Sequence, residues 1–541
     1  GTFDGDNYTV TIAYDFPAGS SYNQNDCFGL FGFVTKGAVV KNLNVTGSIS
    51  VECNFWHVGG IIGGDNNAGG PITVTNCRCD VDINAVSPAT TTNTFISVGG
   101  LMGTCQAELL MDDCSFRGSI VSESKRAGVG QTSYVAGLVG ASNSGIRGHI
   151  NNCYVFINAT TTVNAASNAN RIAPIYYRTD LNKSCSCSGN YYYFENIRFN
   201  GADNAPFAMG TGDGVDIKNI DANATLTLVI DNATDMELFA SLVNRGCRRI
   251  SGKLTRCFAY SGPVPSSSAA NAFMGSFDGQ NHTITLSVDR DLVGLQSVGL
   301  FGYLGEGAQV RNLIVAGTVS GSLLATEADP SYMGAIAGCV VGSASVTNCM
   351  STVELNNKRT TVPSVMGGLV GRVDGSLLIE SCSFSGKGSQ MGEGVSYNGF
   401  IGDVVAGGSV SFSNSYSMAR NGGSVFAPES TLTVQNCYYR DNLTSPVGTA
   451  MPMSRIISGE MCYLLNGSQS EDVVWYQQVG SGEPHLAQCS CSSAKNYIVY
   501  KNEDKYCPDH DEVIETTYDN KVRSVIDRYN YPNHKFVYDA D

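Results

Sequence analysis

Charge is scarce in this sequence. Only 15% of its 541 residues are charged, and they leave a formal net charge of −15. No Lys/Arg run is longer than CRR at 247–249 or NKR at 357–359. An acidic chain without a long basic run argues against nucleic acid and anionic membrane as partners, because both are recognised first through phosphate charge. Long apolar runs are missing too. GAIAGCVVG at 334–342 is among the longest and covers about half of what a bilayer span requires, so the sequence predicts no membrane span. Histidine is limited to 6 scattered residues, and the Cys-x2-4-Cys spacing of a zinc centre is absent. Also missing are G-x-S-x-G, H-E-x-x-H and the P-loop. Asp80 and Asp82 in CRCDVDI read as a solvated strand face rather than the paired carboxylates of a glycosidase. Asp4 and Asp278, each in an FDG phrase, read as Asp-Gly turns rather than acid/base groups. GTGDGVD at 210–216 spaces oxygen ligands like a calcium loop but lacks the distal bidentate Glu. The expectation is no catalytic residue, no metal and no cofactor.

What is abundant is glycine, with 62 residues, set among short aliphatic clusters. That composition favours turns and short strands over long helices. One phrase recurs at steps of 30 to 40 residues: FGLFG (28–32), GGIIGG (59–64), GGLMG (99–103), AGLVG (136–140), VGLFG (298–302), GAIAG (334–338), GGLVG (367–371) and NGFIG (398–402). A second phrase follows most of them: ITVTNC (72–77), LLMDDC (109–114), HINNC (149–153), ASVTNC (344–349), LLIESC (377–382) and LTVQNC (432–437). Its apolar residues alternate as in a strand with one buried face. Repetition on this scale predicts a solenoid whose coils bury one another. The fold expected is mainly β, two tandem right-handed parallel β-helices with short helix-containing caps. Leu30, Ile61, Leu101, Leu138, Leu300, Ile336, Leu369 and Phe400 should stack as one interior ladder, each contributing roughly 1.5–3 kcal/mol when buried.

Gly-Leu/Ile-hydrophobic-Gly followed by a strand ending in Asn-Cys resembles the GLUG repeats of secreted and surface proteins, over about 1–160 and 275–440. The resemblance implies parallel β-helices in a surface, adhesive or structural protein. The tail at 459–486, with Trp475 as its anchor, resembles the segment that closes such arrays.

The domain reading is a first array over 1–195, a connecting segment over 196–273, a second array over 275–440, a closing tail over 441–512 and a terminal segment over 513–541. Within the connector, Thr234 and Glu237 have capping-box spacing before a helix over 234–245, and LTRCFAYSG at 254–262 reads as a strand. The order helix, strand, FDG then recurs in a displaced form. GTFDG opens the chain, while helix-spaced Tyr518, Val522, Val525, Ile526 and Tyr529 and strand-like Phe536 and Tyr538 stand near its other end. That arrangement predicts self-assembly, residues 515–541 of one copy covering the coil that starts at Gly1 of the next, or else one period of a longer polyprotein. The chain starts with neither Met nor a leader, as a processed chain or a fragment would.

Cysteine numbers 19, which points to an oxidising, extracellular setting. Three Cys-x-Cys pairs, Cys77/Cys79, Cys185/Cys187 and Cys489/Cys491, are the disulfide candidates. The Asn-Cys cysteines either stack as small interior residues or pair between coils. Sequons mark Asn7, Asn44, Asn158, Asn182, Asn223, Asn232, Asn281, Asn442 and Asn466 as candidate N-glycosylation sites. The aromatic clusters IYYR (175–178), NYYYF (190–194) and NCYYR (436–440) suit either stacking on surface glycans or coverage of a last coil. The expected function is an extracellular, non-catalytic structural subunit. Its rivals are a glycan-binding adhesin and a β-helix polysaccharide lyase or hydrolase.

Overall fold

In the computed structural model the described residues are 1–515 except 20–26, 66–69, 90–94, 126–131, 143–146, 164–169, 179–184, 196–197, 200–201, 204–214, 291–296, 322–330, 358–363, 390–394, 422–424, 427–431, 446, 469–473, 479–481, 487–496, 502–503 and 508–511. The chain is a parallel β-solenoid, and it divides into two compact units, Gly1–Ile220 and Asp221–Asp541. The first contains a 12-stranded sheet and two 5-stranded sheets; the second contains a 15-stranded sheet and two 4-stranded ones. Each coil gives one strand to each short sheet and a longer stretch to the large sheet.

How one sequence phrase makes a corner is clearest in the strand Pro71–Ser87. Ile72 and Val74 are buried, and so are Cys77, Cys79, Val81, Ile83 and Ala85. Even positions face inward before Asn76 and odd positions after it. The change of phase is made by Asn76 itself, which takes a left-handed backbone with φ 49°. One left-handed residue turns the chain and keeps its apolar side inside. Asn is among the few residues that adopt this conformation cheaply. Asn42, Asp113 and Asn152 do the same in the other coils of the first unit, and Asn312, Asn348, Ser381, Asn414 and Asn436 do so in the second.

The residue after each corner faces the interior, where the next coil stacks on it. Register places Leu43 on Cys77, and Leu313 on Cys349 in the second unit. Cys114 and Cys153 continue the first column and Cys382 the second, all fully buried. Small side chains suit a site squeezed on both sides by neighbouring coils.

Glycine in the other recurrent phrase is set by close approach. A Cβ on Gly100 would overlap the Gly137 carbonyl oxygen and the Phe116 ring; a Cβ on Gly368 would overlap the Gly399 carbonyl oxygen and the Phe384 ring. The neighbouring ladder is as expected: Ile61, Leu101, Leu138, Leu300, Ile336, Leu369 and Phe400 are buried. Leu30 is the exception, only partly buried against the core, for a reason given below.

The helix in the connector spans Ala233–Asn244 (α1). Its cap is not the Thr234/Glu237 box. Asn232 Oδ1 accepts from the Thr234 and Asp235 amides, at 2.9 and 3.2 Å, and Asp235 reaches back to the Asp231 amide at 2.9 Å. Asn two residues earlier offers its oxygen to the same amides, which spacing alone does not distinguish.

Candidate functional site

The first coils of the two units begin with nearly the same words, GTFDGDNYTV and GSFDGQNHTI, yet meet different surroundings. In the second unit Ser276–Arg290 has a strand on each side. Ser251–Leu254 and Phe258–Tyr260 pair with one edge, and Ala308–Gly321 pairs with the other. Thr227–Ile230 adds a further strand outside Ser251–Leu254. α1 lies beneath, with its apolar stripe on the coil: Met236, Phe239, Ala240, Leu242 and Val243 are buried. The Phe239 ring centre is 5.6 Å from that of Phe273, 5.6 Å from that of Phe277 and 6.3 Å from that of Phe301. Edge-on aromatic packing of this kind adds to the area it removes from water.

In the first unit Thr2–Asp4 and Thr9–Phe16 pair with Val39–Val51 on one side, and among the described residues no strand pairs with the other. The equivalent aromatic side chains are accordingly open. Phe3 is 41% exposed where Phe277 is 0%, Phe33 is 55% where Tyr303 is 7%, and Tyr8 is 70% where His282 is 9%. Phe3 still meets Phe31 at 5.2 Å, as Phe277 meets Phe301 at 5.4 Å. The half-formed cluster lacks the two rings, Phe239 and Phe273, that complete it in the other unit. Leu30 is half-buried for the same reason.

Beside this face runs a polar ladder along the left-handed corner. Asn76 donates to Asn42 Oδ1 at 2.9 Å, and Asn42 donates to Asp4 Oδ1 at 3.0 Å. Asn348, Asn312 and Asp278 repeat this at 3.2 and 3.0 Å. Asp4 is thereby an end-stop of the ladder, paired also with Lys41 at 3.0 Å. The Asn42 amide and the Lys41 ammonium hold its carboxyl down to about 2. At Asp278 burial pushes the carboxyl up, and the Asn312 and Gln280 hydrogen bonds outweigh it to leave the group below its ordinary value. Carboxylates held ionised by such neighbours are poor acids, and in both FDG turns the carboxylate caps the asparagine ladder at the corner.

At its far end the second unit is closed. Trp475 is 1% exposed, donates from Nε1 to the Asn414 carbonyl at 2.9 Å and meets the Tyr416 ring edge-on at 5.1 Å. The short helices Met453–Ile457 and Glu460–Leu465 complete the cover. Tyr438 and Tyr439 are buried at 9% and 8%, which leaves no ring face for a sugar; they pack the last coil. Tyr191, Tyr192 and Tyr193 are half-buried at the corresponding place in the first unit.

The disulfide expectation needs correction. All 16 cysteines whose side chains are described are thiols, and Cys77, Cys79, Cys185 and Cys187 are buried among them. Stacked parallel strands hold equivalent Cβ atoms about 4.8 Å apart, beyond the roughly 3.5–4.5 Å of a bridge. Members of a Cys-x-Cys pair point the same way and stand further apart still. Several of the stacked corner thiols donate to a carbonyl of the coil before: Cys77 to Val40 at 3.5 Å, Cys114 to Val74 at 3.4 Å and Cys382 to Val346 at 3.3 Å. Burial pushes the Cys437 thiol up to about 11, and the stacked thiols are raised as well, Cys114 and Cys382 chiefly by burial and Cys77 chiefly by its hydrogen bond with Cys114.

Of the sequons, Asn7, Asn158, Asn223 and Asn442 are exposed, and Asn44, Asn232, Asn281 and Asn466 are half-buried. Asn466 Nδ2 donates to the Cys462 and Trp475 carbonyls at 3.0 and 2.8 Å; a glycan on that atom would disrupt the closing tail. Asn182, Cys489, Cys491, the 210–214 part of the GTGDGVD phrase, and Tyr518, Val522, Val525, Ile526, Tyr529, Phe536 and Tyr538 lie outside the described residues. Among the described residues no group of three or more His, Cys, Asp and Glu is gathered as for a metal ion, and no helix is long and apolar enough to cross a membrane. No known family model, curated protein or solved structure matches the chain.

Proposed function

We propose that this chain is an extracellular, non-catalytic structural subunit that assembles head to tail. One observation carries the reading: the same coil opening is covered by strands and Phe239 in the second unit and uncovered in the first, where Phe3 and Phe33 stand exposed. An uncovered coil offers an apolar cross-section and an unpaired strand edge, and strand addition satisfies both. The occupant we assign is residues 515–541 of a second copy. Tyr518, Val522, Val525, Ile526 and Tyr529 follow the spacing of a helix, and KFVYDAD at 535–541 reads as a strand, the order found at 233–260 in the cap that is present. A contact between unlike ends does not close on itself, so it repeats into a filament.

The resemblance to GLUG repeats and the exposed sequons Asn7, Asn158, Asn223 and Asn442 support a secreted or surface location. Surface glycans remain a partner class for the exterior of such a filament. The test is truncation after Glu515, with both chains viewed by electron microscopy. Linear arrays from the full chain and single particles from the truncated one are expected. Arrays of unchanged length from the truncated chain, or single particles from both, would overturn the assignment.

A further inference from the structure

Of the sixteen cysteines whose side chains are described, fifteen are buried and Cys257 is exposed. It follows the strand Ser251–Leu254 in the cap and sits over the coil that carries His282. Its Sγ lies 3.7 Å from His282 Nδ1 and accepts the backbone N–H of Thr283 at 3.2 Å. A sulfur that receives an amide hydrogen and faces an imidazole has both of the aids a thiolate needs, a donor for its charge and a base for its proton. The imidazole is largely buried; burial lowers its pKa against the opposing pull of Asp231, so the ring is neutral at neutral pH, with Nδ1 facing the sulfur. Asp231 is itself fixed by Thr255 Oγ1 at 2.8 Å and Arg256 at 3.1 Å. These contacts are confined to the second unit. The position of His282 is held by Tyr8 in the first, as the shared opening phrase shows.

We propose that Cys257 and His282 form a reactive thiol–imidazole pair, a site of covalent modification by small disulfides. His282 Nδ1 takes the Sγ–H proton, and the thiolate attacks one sulfur of R–S–S–R. The new bond joins Cys257 Sγ to that sulfur. The old S–S bond breaks, its electron pair leaves on RS⁻, and the imidazolium returns the proton to give RSH. Cys257 is oxidised to a mixed disulfide and one equivalent of RSH is the reduced product, so the exchange needs nothing beyond the disulfide itself. The interior thiols are excluded from it by the coils packed against them.

The test uses the full native chain and a small aromatic disulfide, DTNB, with the modified peptides identified by mass spectrometry. The Cys257 peptide is expected to be modified about tenfold faster at pH 6.5 in the native chain than in the urea-unfolded chain. His282→Gln should slow it by a similar factor and flatten its pH profile, with Cys257→Ser removing it. His282→Tyr, which installs the residue found at the matching position of the other unit, guards against a folding defect in the Gln variant and should slow the reaction equally. Equal rates in native and unfolded chains, or a rate unchanged in folded His282→Gln or His282→Tyr, would overturn the pair.

Discussion

The two coil openings are a natural experiment. GTFDG and GSFDG use the same turn, the same Asp-capped asparagine ladder and the same Phe pair, and differ in what lies against them. With two cap strands and α1 in place, Phe277 is sealed; without them, Phe3 is 41% exposed. The difference teaches that a coil of this solenoid keeps its strands, its corner and its ladder with a neighbouring coil on one side alone, and depends on cover at the other side for burial. End coverage is thus a separable element, supplied in the second unit by residues 227–275.

The largest expected effect comes from breaking the cover that exists. Phe239→Ala should destabilise the second unit by about 3–5 kcal/mol, because it removes the ring touching Phe273, Phe277 and Phe301. Phe3→Ala should cost well under half as much, since its ring is already partly wet. Urea titration of both variants measures the contrast, and equal losses would erase the distinction drawn between covered and open coils.

Acid should destabilise the first unit next. His57, in the first unit, is 4% exposed, and burial lowers its pKa to about 3; its ring Nδ1 has no hydrogen-bond partner. The unfolded chain therefore binds a proton between about pH 6.5 and pH 3 that the folded chain refuses. Its contribution to stability is full above pH 6.5 and falls by up to about 1.4 kcal/mol for each pH unit below it. His57→Phe should remove that part of the slope in a thermal melt followed from pH 7 to pH 4; an unaltered slope would contradict the assignment.

Much of this was legible in the sequence. Gly at fixed places, the interior ladder and α1 to within a residue followed from periodicity, because each coil repeats one local solution. The fate of the cysteines did not follow. Whether Cys77 and Cys114 bridge or stack depends on a Cβ separation of an ångström or so, and only the parallel register fixes it. Nor could the sequence distinguish Asn232 from Thr234 as the helix cap, since both precede the amides to be satisfied. Cys257 and His282 stand 25 residues apart, and their meeting is a consequence of strand register alone. Asn-Cys reads from the sequence as the end of a strand, yet the strand Pro71–Ser87 runs through it, and its meaning, a left-handed residue that switches which side of the strand faces inward, appears only when Val74 and Cys77 are both seen to be buried.

Smaller effects sharpen the account of the coil itself. Gly368→Ala should cost about 1–3 kcal/mol, since the new methyl would overlap the Gly399 carbonyl oxygen and the Phe384 ring. Asn348→Ala, at φ 51°, should cost about 1–2 kcal/mol from strain and the lost bond to Asn312. Asn348→Gly should recover the strain part. Urea midpoints for the three variants give the comparison, and an Asn348→Gly variant no better than Asn348→Ala would remove the left-handed corner from the explanation.

The central claim is that the uncovered first coil is a docking end. Sedimentation velocity on the full chain and on Phe3→Asp, over a range of concentrations, tests it most directly. The account predicts a ladder of end-to-end species that grows with concentration in the parent chain and collapses to a single folded species in Phe3→Asp, with the melting curve little changed. Identical distributions for the two chains would contradict it.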